Sequence, residues 1–198
     1  MKKITLILSC ILISVFVLIS CTSSQKEQTA VTSISNDSLI KRGAYLVDIM
    51  GCNDCHTPKK MSDQGVVPDM DKMLSGHPAQ MPLFPFDTAT TKNWVLFNMI
   101  GTASVGPWGA SFSANLTSDE TGIGAWSEEQ FKKAITEGKL KGMDGTRPLL
   151  PPMPWQNYKN IKDEDIKAIF AFLKSTPPVK NSVPQPVSPK DVVSLTKN

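Results

Sequence analysis

Gly51-Cys52-Asn53-Asp54-Cys55-His56 is the stretch on which the reading of this 198-residue chain turns. Two thiols separated by two residues can form a disulfide, a thioredoxin-like redox pair or part of a metal site. The redox pair needs a strand–motif–helix setting, and no strand-like run precedes Cys52. A zinc centre wants four ligands, or three and a water. After His56 the chain offers only His77 and no second cysteine pair.

The residue after the second cysteine decides among the remaining readings. Cys-x-x-Cys-His is the spacing of c-type haem attachment. Two thiols at this separation can add across the two vinyl groups of one porphyrin, and His56 then lies under the ring with a nitrogen for the iron. The motif occurs once, so one haem c is expected, covalent through Cys52 and Cys55.

The flanking sequence extends this pattern. Upstream, Leu39, Leu46, Ile49 and Met50 fall near helical spacing, with Asn36 or Asp37 as cap and Gly51 as the stop. Downstream, Asp163 to Ser175 carries acidic residues in its first turn, Lys174 in its last, and an apolar stripe of Ile166, Ile169, Phe170 and Leu173. Pro177-Pro178 stops it. With Arg42-Gly43-x-Tyr45-Leu46 ahead of the haem motif, the chain resembles class I cytochromes c. The resemblance implies a mainly α fold in which the N- and C-terminal helices cross, with Gly43 allowing the close approach.

A second axial position remains to be filled. Pro151-Pro152-Met153-Pro154-Trp155 is a turn whose prolines restrict the backbone on both sides of a thioether, and Met153 is the reading preferred over Met143, His77 or an open site. Cytochromes of the family carry their axial methionine in such a loop. A His/Met pair closes both axial positions and raises the haem potential relative to His/His, which suits electron transfer rather than small-molecule activation.

His56 and Met153 are far apart for a compact cytochrome of this class, and the extra chain, residues 58–125, is rich in Pro, Gly, Ser and Thr. It reads as a loop-rich insertion wrapping the haem, with one short strand or helical turn between Trp94 and Ile100. Ser127 and Gln130 form a capping box ahead of a helix that Gly138 ends. The run from Asn115 through Thr121-Gly-Ile-Gly-Ala-Trp126 to Phe131 resembles cytochrome subunits and domains associated with bacterial membrane dehydrogenases. Arg147, Trp155 and Tyr158 are candidate haem-pocket residues, as propionate partners or as plain wall. Trp108 and Trp126 carry the same two readings. The Pro68 carbonyl is a candidate acceptor for the His56 ring. Phe84, Phe86 and Phe97 read as core or pocket lining.

The N-terminus reads as an export signal. Lys2 and Lys3 precede an apolar run that is short for a membrane span and is broken by Ser9 and Ser14. It ends Leu18-Ile19-Ser20-Cys21, which resembles a bacterial lipobox and implies cleavage before Cys21 and diacylglycerol on its sulfur. An uncleaved anchor, or a secreted protein with a stray thiol, is the other reading. The expected organisation is a signal peptide at 1–20, a lipidated tether at 21–36, a monohaem domain at 37–176 and an extended, mobile Pro-rich tail at 177–198. Loss of the signal leaves 19 basic against 18 acidic residues, so the formal +3 of the whole chain marks no nucleic-acid-binding surface.

These readings converge on an electron carrier on the extracytoplasmic side of a bacterial envelope. It is held to the membrane through Cys21 and exchanges electrons with redox proteins, a dehydrogenase foremost. A haem-based sensor or gas-binding module, or a haem subunit of an oxidising enzyme complex, are the alternatives. Cytochrome-type peroxidases generally need a second haem, for which there is no second motif.

Overall fold

A computed structural model describes residues 35–195. The segments read from the sequence as signal peptide, lipobox and most of the tether therefore lie outside the described residues. Helix α1 spans Asn36–Ile49, and its cap is Ser35, whose hydroxyl accepts from the Ser38 amide. The cap is thus neither Asn36 nor Asp37. Three cap-forming residues stand in a row here, and only backbone geometry separates them. Gly51, at φ 68°, turns the chain from α1 into α2, the five-residue helix Cys52–His56.

Helix α4 (Asp163–Ser175) packs along α1. A Cβ on Gly43 would collide with the Ala168 carbonyl, so glycine is what lets the two backbones meet. Arg42 and Asp165 close the crossing with a 3.0 Å ion pair. Helix α3 (Glu128–Glu137) carries the expected capping box: the Gln130 amide donates to Ser127 Oγ and the Ser127 amide to Gln130 Oε1. It buries Phe131, Ala134 and Ile135. Phe131 and Ile135 join Leu46, Val47, Ile166, Ile169 and Leu173 in one core.

The insertion is more regular than the sequence indicates. Strands β1 (Lys59–Ser62) and β2 (Gly65–Pro68) form an antiparallel hairpin. Strands β3 (Leu96–Phe97), β4 (Ala103–Gly106) and β5 (Gly109–Phe112) form a second antiparallel sheet, in which Ser104 faces Ser111 across the β4–β5 ladder. The described residues thus combine a predominance of helix with two small sheets, and the loop-rich insertion contributes all five strands.

The tail also departs from its reading. Residues 177–188 lie against the domain instead of leaving it. Asn181 donates to the Ser75 and His77 carbonyls at 2.7 and 2.9 Å and accepts from the Ala79 amide. Val187 exchanges both backbone hydrogen bonds with Ala110 of β5. A last helix, α5 (Pro189–Leu195), buries Val192 in a second apolar cluster with Val105 and Ala110. Proline density suggests a free segment, but polar side chains and an open strand edge hold it.

Candidate haem site

Cys52, Cys55, His56 and Met153 all line one cavity of about 480 Å³. Its volume falls within the roughly 300–1,000 Å³ of cofactor sites. Helix α2 places Cys52 and Cys55 three residues apart, on neighbouring turns of one face. Thr57 anchors the end of that helix, donating to Asn53 Oδ1 at 2.7 Å and accepting from the Leu74 amide at 2.9 Å. Burial pushes the Cys52 thiol up to about 11 and raises that of Cys55 as well.

His56 is held by its Nδ1, which lies 2.7 Å from the Ala114 carbonyl oxygen. A carbonyl only accepts, so Nδ1 carries the proton and Nε2 keeps its lone pair for a ligand role. Burial lowers the pKa of this imidazole, which favours its neutral form. The acceptor is not Pro68, the candidate from the sequence: that residue pairs with Lys59 at the end of the β1–β2 hairpin. Ala114 reaches the ring because Gly76, at φ 77°, packs directly on the Ser113–Ala114 backbone with no room for a Cβ. The Gly76 amide also donates to the His56 carbonyl, and the His77 amide to the Ser113 carbonyl.

His77 is committed elsewhere. Its Nε2 donates to the Met81 carbonyl at 3.2 Å, its Nδ1 accepts from Thr102 Oγ1 at 2.9 Å, and it is fully buried. Met143 is exposed and forms no part of the cavity wall. Two methionines do line it, Met50 and Met153. Met50 closes the end of α1 and packs on the α1–α4 core, whereas Met153 belongs to the separate proline loop.

Of the candidate pocket residues, Arg147, Tyr158, Trp126 and Phe97 line the cavity. Exposed Arg147 uses one guanidinium nitrogen on the Pro148 carbonyl and keeps its other donors. Tyr158 directs its hydroxyl at the Met50 carbonyl, 3.4 Å away. Trp155 and Trp108 are not in the wall. Trp155 lies against Gly138 at the end of α3, and Trp108 covers Gly106 in the β4–β5 turn. Phe86 sits by the second cluster and Phe84 is exposed. Sequence reasoning missed Ala114, Ser104 and Ser111. Small residues in a segment without apolar alternation carry no signal for them.

The donor set fits a haem. A haem brings its own equatorial ligands, so a protein need supply only thiols for the ring and axial donors for the iron. The cavity provides two thiols for such a ring, one oriented imidazole and apolar walls from Ile135, Ile169 and Leu173.

Comparison with known proteins gives the class. No protein-family model matches the chain. The gluconate 2-dehydrogenase cytochrome c subunit of Pantoea cypripedii is 31% identical over 161 residues, covering 78% of this chain and 28% of the relative. The cytochrome c subunit of the quinone-type alcohol dehydrogenase of Gluconobacter oxydans is 30% identical over 139 residues, covering 70% of the chain and 21% of the relative. A nicotinate dehydrogenase subunit of Pseudomonas putida is 42% identical over 88 residues, covering 44% and 7%. The chain thus spans less than a third of the length of these relatives. In sequence it is a relative of c-type cytochromes, and in particular it resembles the cytochrome c subunits of dehydrogenases.

Proposed function

We propose that this chain is a monohaem c-type cytochrome of the cytochrome c fold, covalently loaded through Cys52 and Cys55, with His56 and Met153 as axial ligands. It passes electrons from a cell-envelope dehydrogenase to a respiratory acceptor. One observation carries the reading: the two thiols, an imidazole oriented through Nδ1, and a methionine on a separate loop all face one largely apolar cavity. The relatives support a dehydrogenase as donor, being cytochrome subunits of such enzymes.

When bound, haem supplies a one-electron couple at iron. The chain's part is to fix and shield it. The Ala114 carbonyl holds the His56 proton on Nδ1 and keeps Nε2 available. Apolar side chains from α3 and α4 exclude water, and a dry, low-dielectric site tunes the couple. The free donors of Arg147 at the wall suit a propionate. Cys21 anchors the protein by lipidation, and the following tether lets the domain reach partners near one membrane face.

Intact-mass and optical analysis of the full-length protein, made in a host that matures c-type cytochromes, tests the attachment. One haem that resists acid extraction, and its loss in a Cys52→Ser/Cys55→Ser double variant, are expected. Freely extractable haem, or none, contradicts the reading. Cys21→Ser is expected to move the protein from the membrane to the soluble extracytoplasmic fraction.

A further inference from the structure

The Met153 loop is poor in means of holding itself. Pro151, Pro152 and Pro154 have no amide hydrogen, so Met153 carries the sole backbone donor of residues 151–154. That donor is spent on the Leu150 carbonyl at 3.3 Å. At its far end the Asn157 amide donates to the Pro154 carbonyl at 3.0 Å. Fixing the Pro151–Pro152 end calls for a donor brought to its carbonyls from another element. The structure has one: Ser111 of β5 donates its hydroxyl to the Pro151 carbonyl at 2.7 Å.

The direction of every bond around Ser111 follows. Pro151 offers only an acceptor, so the single Ser111 proton goes there. The Ser111 oxygen must then accept from its other two neighbours. Trp108 Nε1 donates to it at 3.2 Å, and Ser104 Oγ, its partner across the β4–β5 ladder at 2.9 Å, donates as well. Both lone pairs are used, and neither oxygen can rotate away without leaving a buried group unsatisfied. Ser104 and Ser111 are buried, and both line the cavity beside Met153.

We propose that Ser111 is the positioning residue for Met153, and that the Trp108–Ser104–Ser111 cluster of the insertion is built to hold the proline loop. This rests on the reading of Met153 as an axial ligand. The insertion then serves both sides of the site, Ala114 orienting the imidazole and Ser111 the thioether.

The test uses the full-length holoprotein in four variants: Ser111→Ala, Ser104→Ala, Trp108→Phe and Met153→Ala. Two quantities are read: the far-red methionine–iron charge-transfer band of the oxidised form, and the affinity of that form for imidazole, which competes with the thioether. Ser111→Ala is expected to weaken the band and tighten imidazole binding about tenfold, the scale of one buried hydrogen bond. Ser104→Ala and Trp108→Phe are expected to shift both in the same direction by less. A Ser111→Ala protein matching wild type in both, or one that only melts earlier, overturns the proposal while the Met153 reading stands. A wild type without the band, or a Met153→Ala variant that keeps it, removes that reading and the proposal with it. Should Ser111→Ala fail to assemble, Ser104→Ala and Trp108→Phe decide: both unchanged from wild type overturns the proposal.

Discussion

At the scale of single residues, Gly43 and Met153 carry the packing and the proposed ligation. Gly43 sits where the backbones of α1 and α4 meet, and the space for a side chain is taken by the Ala168 carbonyl and Phe172. Gly43→Ala is expected to destabilise the domain by about 1–3 kcal/mol, read from the denaturant midpoint at unchanged slope, although alanine is the better helix former. Met153→Ala is expected to abolish the far-red band and open the iron to added ligands. The proposed haem residues Cys52, Cys55, His56 and Met153, which line one cavity, stand out in the sequence through spacing and proline, both local. The His56 partner is not. Ala114 lies 58 positions along the chain, and nothing in an alanine's side chain advertises that its carbonyl will be used. Pro68 is the nearer candidate, and the hairpin it closes removes it.

At the scale of elements, helices α1, α3 and α4 are readable, whereas α5 and most of the strands are not. Apolar residues near a 3.6-residue period mark α1 and α4, and a capping box with a terminal glycine marks α3. Strands β4 and β5 read Ala-Ser-Val-Gly and Gly-Ala-Ser-Phe, without the alternation that identifies a strand, because they are buried by an apolar cluster on one side and the cavity on the other. Helix α3 depends on its cap: Ser127→Ala is expected to cost about 1 kcal/mol, checked by chemical denaturation. The 115–124 loop that leads into it has an acid-sensitive joint. The Thr121 hydroxyl and amide donate to Asp119 and hold its carboxyl below the ordinary value, about 3.9. A depressed folded pKa contributes stability that is complete above the unfolded value and lost as pH falls through the folded one. Asp119→Asn should therefore flatten the fall in melting temperature below about pH 4; an unchanged acid limb would show that the joint contributes nothing.

At the scale of the molecule, the insertion and the tail belong to the domain. The insertion reaches both sides of the site, and the tail braces the insertion: Asn181 spans Ser75, His77 and Ala79, next to the backbone that presents Ala114. Asn181→Ala is expected to lower stability by about 1–3 kcal/mol, since buried carbonyls lose their donor; thermal unfolding of the holoprotein checks this. Tail docking is hidden from the sequence because prolines mark an extended path without saying what lies beside it.

The proposed function requires that one His56/Met153-ligated haem serve as a one-electron carrier. Potentiometric titration of the full-length protein, followed optically, tests it most directly. One single-electron transition between two low-spin forms is expected, at a potential that drops when Met153 is replaced by alanine. A high-spin oxidised form, more than one transition, or a potential indifferent to Met153 would contradict it.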